Sequence, residues 1–119
     1  PVSKESLPNI YSGSIYVSLD VHPACPNTVI EALSCGAPVV GFNTGALNEL
    51  VISDSGVVVP YGSDPWNLEY PDVKSLAKAI LKIKENYLYY SQNARKVAEE
   101  KYSIEIMTEK YLNIIKSLI

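Results

Sequence analysis

The sequence predicts an α/β fold, a short parallel sheet flanked by helices and followed by a helical C-terminal part. Three observations predict it. The first half alternates short apolar runs with short amphipathic segments, the order expected of strands joined by right-handed helical crossovers. Its strand candidates are apolar at successive positions, as in a parallel sheet covered on both faces. The second half carries apolar residues at helical spacing along three longer segments.

Taken in order, Ser6 is suited to cap a helix through about Ser12, with Pro8 tolerated in its first turn. Ile15–Leu19 reads as a strand, and Asn27–Cys35 as a helix ended by Gly36. Pro38–Phe42 is a second strand, bounded by the turn formers Asn43-Thr44-Gly45. A short helix over Leu47–Ile52 and a third strand over Ser55–Val59 follow. A loop rich in Pro, Gly and Tyr (Pro60–Pro71) leads to Asp72, the N-cap of a helix over Val73–Asn86. Leu76, Ala77, Ile80, Leu81 and Lys84 are spaced along one side of it. Helices over Tyr87–Lys101 and Ser103–Ile119 complete the chain, the last capped by Ser103 with Glu105 in its first turn. Ile104, Met107, Tyr111, Ile115 and Leu118 fall on one stripe of that last helix, too apolar for open solvent.

The 119 residues, 47% hydrophobic and 19% charged, suit a single folded domain. A net charge of −3 argues against a nucleic-acid binder led by phosphate contacts. No apolar run approaches the roughly 18 residues of a membrane span. Three strands are few for a doubly wound sheet, which usually has about five or six. The chain also begins Pro-Val-Ser without a Met, so it is expected to be a fragment whose further strands precede Pro1. Cys25 and Cys35 bracket a helix that separates them by roughly 12–15 Å, beyond the about 7 Å a disulfide spans. Both should be free thiols, which points to a reducing, cytoplasmic setting.

Charge is uneven. Residues 1–59 hold Lys4 alone against five acidic side chains, Glu5, Asp20, Glu31, Glu49 and Asp54. Any phosphate held by this half must therefore rely on backbone dipoles. The densest chemistry lies in His22-Pro23-Ala24-Cys25-Pro26-Asn27-Thr28-Val29-Ile30-Glu31, between a strand's carboxyl end and a helix's amino end. That crevice is where open α/β sheets bind ligands. The Asn27 and Thr28 amides would point at an anion, and Glu31, one turn on, could accept hydrogen bonds from hydroxyls. An anion beside vicinal hydroxyls describes a nucleotide or a sugar phosphate. The purely structural alternative has Asn27 or Thr28 capping the helix and Glu31 interacting with its dipole from the first turn.

Pro26–Gly41 (PNTVIEALSCGAPVVG) resembles the donor-binding segment of group 1 (family 4) retaining glycosyltransferases, which have the GT-B fold. The resemblance continues through Asn43–Val51, Ser55–Pro60 and Leu76–Ile80, and reaches back to Leu7–Tyr11. It implies a partial Rossmann-like C-terminal domain spanning 1–119, with upstream strands and an N-terminal acceptor domain absent. It also implies a glycosyltransferase parent of hexosyltransferase type, and a fragment inactive by itself. In that family two glutamates eight positions apart frame the loop. Glu31 matches the second, which binds the nucleotide ribose; the first, which touches the transferred sugar, falls at Pro23. Backbone amides that hold sugar and diphosphate fall at Cys25, Asn27 and Thr28, whereas Pro26 has no amide to offer. The donor-binding set is thus Cys25, Asn27, Thr28 and Glu31, with no metal and no cofactor beyond the nucleotide-sugar donor. The family's diphosphate-clamping Arg and Lys are expected upstream. Its C-terminal helix leans toward the other domain, so the apolar stripe should be exposed here or drive self-association. The parent would be cytoplasmic or membrane-peripheral.

Two other function classes remain open. Pro23 in place of the first glutamate fits a non-catalytic binding or interaction module on the same scaffold. His22 and Cys25, three apart, could form a Cys–His nucleophile or half of a metal site, but no second ligand pair accompanies them. Gly36, Gly41 and Gly45 form neither a dinucleotide fingerprint nor a Walker loop. Glu49 could touch ligand or simply serve a short surface helix. The nine tyrosines read mainly as packing and surface residues, with an aromatic sugar platform as the functional alternative.

Overall fold

In the computed structural model, which describes residues 2–119, the central strand β2 (Val39–Phe42) is buried at every residue. Pro1 lies outside the described residues. In chain order the elements are a 3-10 turn (Lys4–Ser6), α1 (Leu7–Tyr11), β1 (Tyr16–Ser18), α2 (Asn27–Ser34), β2, α3 (Leu47–Leu50) and β3 (Gly56–Val59). Then come α4 (Val73–Glu85), α5 (Tyr87–Lys101) and α6 (Ile104–Leu118). The sheet is parallel with order β1-β2-β3; Val17 faces Val40, and Val40 faces Val57.

Alternation along β2 builds three layers. Val39 joins Val29, Ala32 and Leu33 of α2 and Ala94 and Ala98 of α5 in one cluster. Val40 and Phe42 join Leu76, Ala79 and Ile83 of α4, with Tyr61 and Tyr90, in the other. Each fully buried Leu, Ile or Val contributes about 1.5–3 kcal/mol. The expected two-sided burial holds only for β2. Val17 of β1 is exposed and all of β3 is half-buried, because these are the sheet's two edges.

Local chemistry accounts for most element ends. Asp72 caps α4 by accepting from the Ser75 amide at 3.0 Å; the Ser75 hydroxyl, which donates to its Oδ2 at 2.6 Å, and then that amide hold its carboxyl below the usual carboxylate range. The Ser103 hydroxyl accepts from the Ile106 amide to open α6. Gly36 ends α2 with φ +73°, and its carbonyl accepts from the Ser91 hydroxyl of α5 at 2.6 Å. Two expectations are corrected. Ser6 does not cap α1 with its side chain; its hydroxyl donates to the Ser3 carbonyl at 2.8 Å, closing the 3-10 turn instead. In α4 the buried side is Leu76, Ala79 and Ile83, with Ile80 half-buried, whereas Ala77, Leu81 and Lys84 are exposed.

The apolar stripe of α6 is exposed as expected. No residue of this helix is buried, and Ile104, Met107, Tyr111, Ile115 and Leu118 stand open together with Leu112 and Ile114. Sedimentation equilibrium should therefore give an apparent mass that rises with concentration, and Met107→Lys with Ile115→Lys should return it to the monomer value. A concentration-independent monomer in the unsubstituted chain would count against this.

Two buried hydroxyls, Thr44 Oγ1 and Ser55 Oγ, lack any hydrogen-bond partner among the described residues. An unpaired buried hydroxyl costs about 1–3 kcal/mol, so Thr44→Val and Ser55→Ala should leave stability unchanged or raise it in urea denaturation. A loss of stability in both would mean these hydroxyls are paired in solution.

Candidate functional site

A parallel sheet brings the carboxyl ends of all its strands to one edge, so the loops after β1, β2 and β3 meet there. The contacts between them are specific. The Ala46 amide, after β2, donates to the Pro23 carbonyl, after β1, at 2.7 Å. Asn43 donates to the Val59 carbonyl at 2.7 Å, tying the β2 loop to the end of β3. The His22 ring stacks on Trp66 of the β3 loop, with centroids 4.3 Å apart and planes 21° apart.

α2 opens from this edge. Its N-cap is Pro26, which contributes no side-chain cap, so neither Asn27 nor Thr28 plays that role. The Val29 amide turns back to the Pro26 carbonyl at 3.0 Å. Among the described residues the Asn27 and Thr28 amides have no hydrogen-bond partner, and both residues are exposed. The helix therefore presents two free donors and the positive end of its dipole to solvent. Cys25, exposed just before it, stands near Tyr102; burial and then this neighbour push the Tyr102 phenol up.

Glu31 lies beyond the first turn of α2, so the expected first-turn dipole partnership is not its role. It is half-buried, and among the described residues its carboxylate makes no hydrogen bond or ion pair. Thr28, three residues earlier, accepts from the Tyr16 hydroxyl of β1 at 2.9 Å. Tyr16 in turn packs edge-on against Tyr11 at 6.0 Å. Burial, and then the neighbouring Tyr16 and Glu31, push the Tyr11 phenol up. The four expected donor residues thus share one end of the sheet, with Glu31 on the side of α2 that faces β1 and α1.

Other candidates fall away from this arrangement. No hydrogen bond links His22 to Cys25 among the described residues, and no three His, Cys, Asp or Glu side chains gather there as a metal site would need. Glu49 is exposed in the first turn of α3. An open groove of about 710 Å³ lies elsewhere, between α1, the C-terminal end of α2 and α5. None of the four expected donor residues lines it; Arg95 there already donates to the Ser34 carbonyl and pairs with Glu99. Sequence reasoning missed Tyr16, Gly45 and Trp66 as parts of the site's surroundings. For Trp66 a signal existed: the single tryptophan sits in a twelve-residue loop, about twice the usual connection of about 4–6 residues.

A family model described as glycosyl transferases group 1 matches residues 2–86. A probable sucrose-phosphate synthase of Thermosipho melanesiensis is 34% identical over 88 residues, which are 74% of this chain and 18% of that protein. Among solved structures, a sucrose-phosphate synthase from Thermosynechococcus elongatus superposes with a TM-score of 0.64 at 23% identity. The match covers 86% of this chain and 25% of that one, and it shows a shared GT-B-type fold over this region. The chain thus spans about a fifth to a quarter of the relatives it matches. No helix here is long and apolar enough to cross a membrane among the described residues.

Gly45 holds the β1 and β2 loops together. Its φ is +52°, and a Cβ there would lie 2.2 Å from the Pro23 carbonyl oxygen. Gly45→Ala should therefore cost about 1–3 kcal/mol in urea denaturation and displace the loop that leads into α2. A stability change within error would mean the loops do not pack this closely.

Proposed function

The chain belongs to the group 1 glycosyl transferases, and we propose that it is the donor-binding part of a retaining enzyme of this family. The single observation that carries the reading is the open end of α2. The Asn27 and Thr28 amides stand there one turn from the Glu31 carboxylate, all three without a partner among the described residues. No Lys or Arg occurs between Lys4 and Lys74, so within this segment a diphosphate would meet amide dipoles rather than cations. The helix end supplies roughly half a positive charge, placed where negative charge grows on the leaving diphosphate. The bond from the sugar's anomeric carbon to the diphosphate oxygen breaks as a bond to the acceptor oxygen forms on the same face, and the acceptor's hydroxyl proton passes to the leaving diphosphate. Cys25 lends its amide to the same cradle, and Glu31 fixes the register of the donor through the ribose hydroxyls. The donor is a substrate, and this chemistry requires no cofactor. The acceptor, the upstream strands and the domain that carries them belong to the longer parent. The 119 residues alone would bind weakly and turn nothing over. Two free thiols suit a reducing, cytoplasmic compartment for that parent.

A second reading, a non-catalytic binding module, is favoured by Pro23. Its ring and carbonyl are packed against Gly45 and Ala46, and it brings no carboxylate to the place where the family touches the transferred sugar. Transfer from a nucleotide sugar by the full-length parent would exclude this reading; binding without turnover would favour it.

Glu31 gives the sharpest test. Hydrogen bonds to a charged acceptor contribute about 1.5–3 kcal/mol. Glu31→Ala in the full-length parent should therefore weaken nucleoside diphosphate binding by roughly ten- to a hundredfold in calorimetric titration. Inorganic diphosphate, which has no ribose, should lose much less. Unchanged nucleotide affinity beside a lowered melting temperature would make Glu31 part of the scaffold and sink the site assignment.

A further inference from the structure

The connection after β3 carries the only tryptophan of the chain, and 80% of that residue is exposed. An indole left this open loses the benefit of burying a large apolar surface. Yet Trp66 is firmly held. Asp64 Oδ1 accepts from the Trp66 amide at 2.8 Å, and Asp64 Oδ2 accepts from Asn67 Nδ2 at 2.7 Å. Glu69 Oε2 accepts from the Asp64 amide at 2.9 Å, and the Tyr61 hydroxyl donates to the Glu69 carbonyl at 2.8 Å. The loop is braced within itself, and the indole is braced from outside by the His22 ring stacked on it. His22 lies four residues before Pro26, on the loop that opens α2.

The charged side chains tied to the loops that carry this pair, Asp20, Asp64 and Glu69, are all acidic. Asp20 is two residues from His22, and its Oδ1 accepts the His22 amide at 3.2 Å; Asp64 is two residues from Trp66, and Glu69 closes the same loop. Such a surface repels a phosphate. Carboxylates have spare acceptor sites for hydroxyl groups, and an aromatic face attracts the positively polarised C–H side of a saturated ring. A neutral sugar ring offers both. We propose that Trp66, backed by His22, is a stacking platform for a neutral pyranose at the mouth of the α2 crevice, outside the diphosphate position. Its location beside a donor rests on the reading of α2 given above, but the two can fail separately.

Titration of the 119-residue chain with methyl glucoside and maltose tests the platform, with the fluorescence of its one tryptophan as the readout. A saturable change is expected with the neutral sugars and a weaker one with glucose 6-phosphate. His22→Ala should weaken sugar binding by roughly three- to tenfold, because it removes the ring that holds the indole. His22 is exposed, so this change leaves the core intact. Glu31→Ala should leave the sugar titration unchanged while weakening nucleoside diphosphate binding by the full-length parent, followed by calorimetry. No saturable change with any neutral sugar, while UDP still binds, overturns the platform and leaves the donor reading standing. A change produced by UDP alone would assign the indole to the base and likewise overturn it. Sugar saturation by the chain, without nucleoside diphosphate binding by the full-length parent, would uphold the platform and remove the donor reading.

Discussion

The structure depends on the burial of one four-residue strand. β2 has no polar side chain and no exposed position, so both of its faces must be covered. Helices α2 and α5 cover one face and α4 the other, and that demand orders the remaining chain. Parallel pairing on both sides of β2 then sends three strand ends to one edge. The loops that gather there are consequences of covering β2. Their mutual contacts, Ala46 to Pro23, Asn43 to Val59 and His22 to Trp66, turn three separate connections into one surface.

Electrostatics gives this surface its chemical character. The open end of α2 lies within a stretch of nearly seventy residues without Lys or Arg. The only fixed positive potential this segment carries comes from backbone amides, and beside them stands a carboxylate with no partner among the described residues. Amides that receive negative charge without rearranging are well suited to a leaving group whose charge grows during reaction. The same lack of cations makes the His22–Trp66 surface a poor host for an anion and a better one for hydroxyl groups. On the proposed reading, the helix end and the aromatic pair would meet different parts of a glycosyl donor.

Much of this was legible in the residue order. Tyr87–Lys101 has the bounds expected of it, and Asp72 and Ser103 cap their helices as their side chains dictate. These features depend on neighbours within four residues. The buried side of α4 was less legible. Leu76 and Ile80 fit two stripes equally well, and the choice of Ala79 and Ile83 over Ala77 and Leu81 is made by Phe42 and Tyr61 across the interface. Ser6 likewise looked like a cap, but the chain before α1 tightens into a 3-10 turn that uses its hydroxyl differently.

By itself the sequence determined the class of fold, the order of its elements, the free thiols and the start of a helix at Asn27. Each follows from periodicity, capping or spacing along a short stretch of chain. Only the tertiary structure decided that the Thr28 hydroxyl is engaged by Tyr16, that Gly45 must be bare to admit Pro23, and that Trp66 meets His22. Those pairs are separated by 12, 22 and 44 positions in the sequence. No local pattern encodes such contacts, because they exist only once the sheet has brought its loops to a common edge.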